Sequence, residues 1–243
     1  MTNNFSISRE RQRIKVVTDE NNATISLEFQ QLELSNLTSI IAGQVPASGV
    51  LEGNFKVTTA QRGDFDSKLE IHDLMILGKP WGDVTFTLAH SADRYDLEML
   101  VKSSITNVKA TGHYISRPVD SEFDLAIALA PLDMQTIEPL SLGKLKNSKG
   151  QATGNLKITG TPGKPSIRGD VNFKDVYFTL KDFNSSFTLQ DERISFQPSG
   201  IAFNNFTIRD EKNQEATIRG SILTEFIKNL NLIFVSHQRI FSC

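Results

Sequence analysis

Cysteine is almost missing: the single one, Cys243, is the last of 243 residues, so neither an internal disulfide nor a thiolate metal cluster can form. A basic excess is missing too. The formal net charge is -2 and the pI about 6.1, which argues against an electrostatic footprint for nucleic acid or for anionic lipid headgroups, since both demand a clear basic excess. Any membrane link is therefore expected through apolar contact. Long apolar runs are lacking as well: "MTNNFSISRERQRIKVV" has no signal-peptide core, and no later stretch approaches the ~18 apolar residues of a spanning helix. His72, His90, His113 and His237 are dispersed and show no metal-ligand spacing. No G-x-S-x-G elbow, phosphate-binding loop or dinucleotide fingerprint occurs, and a cysteine at the terminal residue is a poor nucleophile. The chain is expected not to be an enzyme, to need no cofactor or metal, and to bind no nucleic acid.

Period-two alternation is what the sequence has in abundance. It runs through Leu69 and Ile71; Val84, Phe86 and Leu88; Tyr95, Leu97, Met99 and Val101; and Phe123, Leu125, Ile127 and Leu129. It resumes at Leu156 and Ile158, Val176, Phe178 and Leu180, Ile194 and Phe196, Phe206 and Ile208, and Leu230, Leu232 and Phe234. The intervening residues are mostly charged or hydroxylated, so each strand has one apolar and one wet face. That is the signature of antiparallel strands buried on one side. "TPGKP" predicts a type II turn centred on Pro162 and Gly163, and "DEKNQE" and "HSADR" read as short polar connections. Meandering hairpins are the simplest topology.

Two stretches look helical, Leu37 to Val45 and Pro131 to Leu140, and each is too short to cover more than a few strands. Each precedes a similar segment, "SGVLEGNFKVT" and "KGQATGNLKIT", in which Gly49 matches Gly150 and Gly53 matches Gly154 at a common offset of 101. An internal repeat of that length is expected to stack as solenoid units do. Glycines recur on the apolar face of strands, at Gly53, Gly112, Gly154, Gly169 and Gly220, and near it at Gly82. Repeated glycine inside strands predicts a sheet curved around its apolar side, or ordinary bends in a sandwich.

About sixteen such strands would carry on the order of 2,400 Å² of apolar surface, far more than the few hundred Å² that monomers leave in water. That face must meet a second sheet, a partner chain or lipid. Periodicity alone does not separate the three.

The succession "GTPGKPSIRG", "ISF", "IAFNNFTIRD", a polar turn, "ATIRGSI" and "LNL", from about Thr161 to Phe234, resembles the C-terminal region of the TamB family, translocation and assembly module subunits of the AsmA-like superfamily. "LEIHDLMILGKPWGDVTFTL" and the two helix-plus-"GN" units look like the preceding repeat region. The resemblance implies a long curved antiparallel sheet, a β-taco or groove with an apolar interior and two short helices, with residues 1–160 in the repeat region and 161–243 at the start of the C-terminal domain. The 243 residues are then expected to be a section of a longer protein anchored in the inner membrane. It also implies a periplasmic conduit for phospholipid between the envelope membranes, acting in some members with an outer-membrane barrel protein of the TamA or BamA type. Acyl chains would lie along Val84, Phe86, Leu88, Leu97, Met99, Leu125, Ile127, Val171, Phe173, Phe178, Phe196, Phe206 and Ile218.

Two other classes remain open at this point: a structural or adhesive β-sandwich repeat with a filled core, and a β-solenoid hydrolase with a carboxylate cleft. Asp64 with Asp66, and Asp191 with Glu192, are read as solvated turn residues. In "RERQRIK", Arg9, Arg11, Arg13 and Lys15 are expected on one side of a strand, as a solvated face or as a contact for phosphate headgroups.

Overall fold

The computed structural model describes residues 3–19, 23–38, 46–58, 63–141 and 143–223. They form one antiparallel sheet of fourteen strands in strict sequence order. The strands are β1 (Asn3–Arg9), β2 (Gln12–Thr18), β3 (Thr24–Glu33), β4 (Ala47–Thr58), β5 (Asp64–Ile76), β6 (Lys79–Ser91), β7 (Arg94–Lys102), β8 (Asn107–Ile115), β9 (Glu122–Asp133), β10 (Leu145–Thr161), β11 (Lys164–Leu180), β12 (Ser185–Gln197), β13 (Gly200–Asp210) and β14 (Glu215–Leu223). Helix α1 (Leu34–Thr38) lies between β3 and β4, and α2 (Met134–Ile137) between β9 and β10. Every described strand pairs only with its neighbours in sequence, and the sheet does not close into a barrel. At ~4.8 Å per strand it extends about 60 Å. The sandwich's second sheet is not present among the described residues.

Several local expectations change. Fourteen strands are described rather than about sixteen, and Leu230, Leu232, Phe234, His237 and Cys243 lie outside the described residues. The first helix occupies Leu34–Thr38, earlier than Leu37 to Val45, whose residues 39–45 are likewise outside. The second is one turn, Met134–Ile137, followed by a 3-10 turn at Pro139–Ser141. Pro131 and Leu132 still belong to β9, because Asp133 is the N-cap: its carboxylate accepts the Gln135 N–H at 2.8 Å. Gly163 does not take the positive φ of a type II turn. The strands flanking Pro162–Gly163 form a two-residue hairpin in which the fixed negative φ of Pro162 excludes the primed turns as well. Asp64, Asp66, Asp191 and Glu192 lie within β5 and β12 rather than in turns.

The two halves repeat in register as well as in sequence. In the first, Phe29 pairs with Gly53 and Leu32 with Leu51, so β3 carries one extra residue. In the second, Leu129 pairs with Gly154 and Leu132 with Ala152, and β9 carries the same bulge. Next, β5 inserts a bulge between Val50↔His72 and Ser48↔Met75, with Asp73 at φ 51°. Likewise β11 inserts one between Gln151↔Lys174 and Lys149↔Tyr177, with Asp175 at φ 49°. Bulges kink the strand and strengthen its twist, so each unit bends the sheet in the zone its bulges mark, here called the crease. The outer face is wet and laced with ion pairs between adjacent strands, among them Lys15–Glu28 at 3.4 Å, Lys109–Glu98 at 2.8 Å and Arg193–Asp170.

Candidate functional site: the apolar face

Strand pairing converts the alternation into rows that cross the sheet at right angles to the strands. One row is unbroken from edge to edge: Ile7, Ile14, Phe29, Gly53, Leu69, Phe86, Met99, Ala110, Ile127, Leu156, Gly169, Phe196, Ile201 and Ile222, each directly paired with the next. No polar side chain interrupts it. The row beside it, nearer the crease, runs from Leu32 and Leu51 through Ile71, Val84, Val101, Val108, Leu129, Gly154, Val171, Ile194 and Phe203 to Gly220. On the other side a third runs from Phe5 through Val16, Leu27, Phe55, Ser67, Leu88, Leu97, Gly112, Leu125 and Ile158 to Ile167. Ser67 is its one polar member, and its hydroxyl is turned back to donate to the Leu88 carbonyl at 3.0 Å.

The residues expected to line the groove therefore share one face. Phe86, Met99, Ile127 and Phe196 sit in the unbroken row, Val84 and Val171 in the row at the crease, and Leu88, Leu97 and Leu125 in the third. Phe173, Phe178, Phe206 and Ile218 surround the crease in the second half and pack in one cluster with Val171 and Phe196. Phe206 meets Phe173 and Phe203 edge to face, with ring centroids 6.5 and 5.5 Å apart.

Burial is uneven across this face. Buried apolar residues gather along the crease, including Leu32, Leu51, Leu74, Val84, Val101, Val171, Val176 and Leu189. In the unbroken row, Phe86, Met99, Ile127 and Phe196 are only partly buried. The crease is thus a packed spine and the wall beyond it an accessible apolar surface. Farthest from the crease the wall ends in an aromatic ladder, Phe55, Phe65, His90, Tyr95 and Tyr114, whose successive centroids are 5.2, 5.4, 4.2 and 5.9 Å apart. Nδ1 of His90 is buried without a hydrogen bond and lies 3.9 Å from the Asp64 carboxylate.

Helix α2 packs against β9, β10 and, across the face, β6. Met134 and Ile137 enter the cluster at the crease, while a buried polar network pins the helix. The Thr106 hydroxyl accepts the Asp133 N–H at 3.2 Å and meets the Thr136 hydroxyl at 3.1 Å. Glu138 pairs with Lys79 at 2.7 Å and accepts the Ser148 N–H. Burial pushes the Glu138 carboxyl up, but Lys79 and Ser148 together outweigh burial and hold it below its ordinary value. None of these side chains forms a metal-binding group among the described residues.

The bulges are what sequence reading missed, and their signal was present. In β5 the apolar residues fall at Leu69, Ile71, Leu74 and Ile76, and in β11 at Val171, Phe173, Val176 and Phe178. Each set contains one step of three residues among steps of two, which is how a bulge keeps the apolar phase on one face.

Fold and face together define an open, single-sheet, groove-forming all-β protein. Comparison with family models, with curated proteins and with solved structures returns no match for this chain.

Proposed function

We infer that the sheet is a section of a periplasmic, bridge-like conduit that carries phospholipid between inner and outer membranes, within an outer-membrane biogenesis and protein translocation module. The observation that carries this reading is the apolar row crossing all fourteen strands from Ile7 to Ile222 without a polar side chain. A specific pocket would be the wrong device for transport, because a ligand that fits one place tightly leaves it slowly. A uniform floor holds acyl chains at about 0.8 kcal/mol per buried methylene, yet makes neighbouring positions nearly equal in energy. Lipid is then retained and still slides. Headgroups stay in water at the open side of the wall, and the ion-paired outer face keeps the section soluble in the periplasm. The resemblance to the TamB family supports the same reading and adds an inner-membrane anchor in the longer protein and a barrel partner in the outer membrane. No step of this function calls for catalysis, a metal or a cofactor.

Native mass spectrometry of the chain purified from bacterial membranes in mild detergent, followed by extraction and lipid identification, tests this reading. Co-purifying phospholipid is expected, and it should be lost when Phe86, Leu97 and Phe178 are changed to Asp while the β circular dichroism is kept. A folded chain free of lipid, or one whose lipid survives those changes, would sink it.

A further inference from the structure

The expectation that Arg9, Arg11, Arg13 and Lys15 share one side of a strand does not hold, because the chain turns at Glu10 and Arg11 between β1 and β2. Ser8 pairs with Arg13 and Ser6 with Lys15 on the outer face, whereas Phe5, Ile7 and Arg9 alternate along the apolar face. The hairpin therefore has an apolar side that ends in a basic tip. Phe5 is 62% and Ile7 60% exposed. Among the described residues no carboxylate pairs with Arg9, Arg11 or Arg13, while Lys15 on the same hairpin is taken by Glu28. Three arginines against Glu10 and Glu33, whose N–H donates to the Gln12 side chain beside the tip, still leave the tip locally cationic in a chain whose net charge is -2.

We propose that the β1–β2 hairpin is a docking surface for an anionic phospholipid bilayer, with the tip guanidinium groups among the headgroup phosphates and Phe5 and Ile7 in the acyl boundary. Guanidinium is the side chain best shaped to bind phosphate through two hydrogen bonds. Along the strand Ile7 lies about 7 Å and Phe5 about 13 Å from Arg9. With the hairpin's apolar side laid on the bilayer these are lateral distances, so Phe5 and Ile7 turn into the layer about 5–10 Å below the headgroups that apolar side chains of interfacial elements reach, while Arg9 at the end of the same face stays among the phosphates. A nucleic acid would use the same arginines but leave the two exposed apolar side chains without a role. Docking at the hairpin does not rest on the conduit reading.

Co-sedimentation of the full chain with vesicles of phosphatidylcholine alone, and with vesicles of equal parts phosphatidylcholine and phosphatidylglycerol, tests the proposal. Binding to the mixed vesicles is expected, weakened by salt and much poorer to the neutral ones. Changing Arg9, Arg11 and Arg13 together to Gln should weaken it on the order of a hundredfold, at about tenfold or less per arginine. Changing Phe5 and Ile7 to Ser should also weaken it, while Phe183→Ser, an exposed aromatic far along the sheet, should not. Equal binding to both vesicle types, or a triple variant that binds the mixed vesicles as tightly as the unaltered chain, overturns the proposal. Native mass spectrometry of the triple variant separates the two readings. Docking at the hairpin leaves lipid retained along the floor unchanged, whereas failure of the conduit reading shows as a lipid-free unaltered chain that still sediments with mixed vesicles.

Discussion

The unit β3–α1–β4–β5 and the unit β9–α2–β10–β11 are two versions of one design, built with the same bulges and the same glycines but with helices held in different ways. In the first unit α1 is tied by exposed contacts: the Gln12 side-chain oxygen accepts from Asn36 at 3.0 Å and from the Glu33 N–H at 3.5 Å. In the second, α2 is tied by the buried set Thr106, Asp133, Thr136, Glu138 and Ser148, with Lys79 reaching in. The packed clusters differ in the same sense. Leu34 of the first unit joins a small cluster around Leu74, Val84 and Val101, whereas Met134 of the second sits in one that runs from Ala152 to Phe206. What both keep is the backbone geometry of the crease. What varies is the means of closing the spine over it, so bending the sheet is the shared requirement and the helix anchors are local solutions.

The largest test of that equivalence is at the matched glycines. Gly53 has φ 137° and Gly154 φ 158°, and in both a Cβ would stand 2.1 Å from a carbonyl oxygen of the next strand, that of Lys68 or Asp170. Alanine there cannot be accommodated by a side-chain shift, because the obstacle is backbone in a hydrogen-bonded pair. Gly53→Ala and Gly154→Ala are each expected to cost about 3 kcal/mol or more, read as a lowered midpoint of urea unfolding. Gly220→Ala supplies the internal contrast. Its φ is 131° but nothing stands within 4 Å of its Cβ position, so only backbone strain is added and the loss should be about 1–2 kcal/mol. Similar losses at Gly53 and Gly220 would show that strain alone decides these positions and that close approach between strands does not.

The next effect concerns the anchors. Glu138→Ala leaves Lys79 and the Ser148 N–H without their acceptor in a nearly buried place, with an expected cost of about 2–3 kcal/mol; Gln12→Ala removes exposed bonds and should cost under about 0.5 kcal/mol. Acid sharpens the same contrast. Because the folded-state value of Glu138 lies below its ordinary 4.5, its carboxylate stabilises the fold above that value, and the contribution is lost as pH falls through the folded-state value. A pH series of urea midpoints should therefore fall less steeply below about pH 4.5 in Glu138→Gln than in the unaltered chain. Equal slopes would mean that the Lys79 pair does not form in solution.

These comparisons also show what could be read from the chain alone. The alternation at Val84, Phe86 and Leu88 or at Leu97 and Met99 placed strands and faces directly, because a period of two leaves no other amphipathic solution. The openness of the wall was not legible, since an apolar face reads identically whether a second sheet or lipid covers it. Helix bounds failed for a local reason: Leu34 continues the strand's apolar face and then packs on the crease, so no break in pattern marks the start of α1. The anchoring of α2 was hidden because Thr106, Thr136 and Ser148 look like ordinary polar residues until strands distant in sequence bring them together.

The smallest effect lies at the bulges themselves. Asp73 and Asp175 occupy the left-handed region at φ 51° and 49°, where an L side chain is strained and glycine is not. If both bulges serve only to bend the sheet, Asp→Gly at either position should be neutral to stabilising by up to about 1 kcal/mol, the relief of strain being partly offset by the entropy of a freer unfolded chain. The two sites differ in one contact, because the Asp73 N–H donates to the Asp83 carboxylate at 3.1 Å. That bond is made by the backbone, so it survives the substitution and the two changes should agree within about 0.5 kcal/mol. Thermal unfolding of the two variants side by side measures this. A loss at Asp73 alone would show that its side chain has a task in the first unit that the second does not share, and the equivalence would then hold for the backbone only.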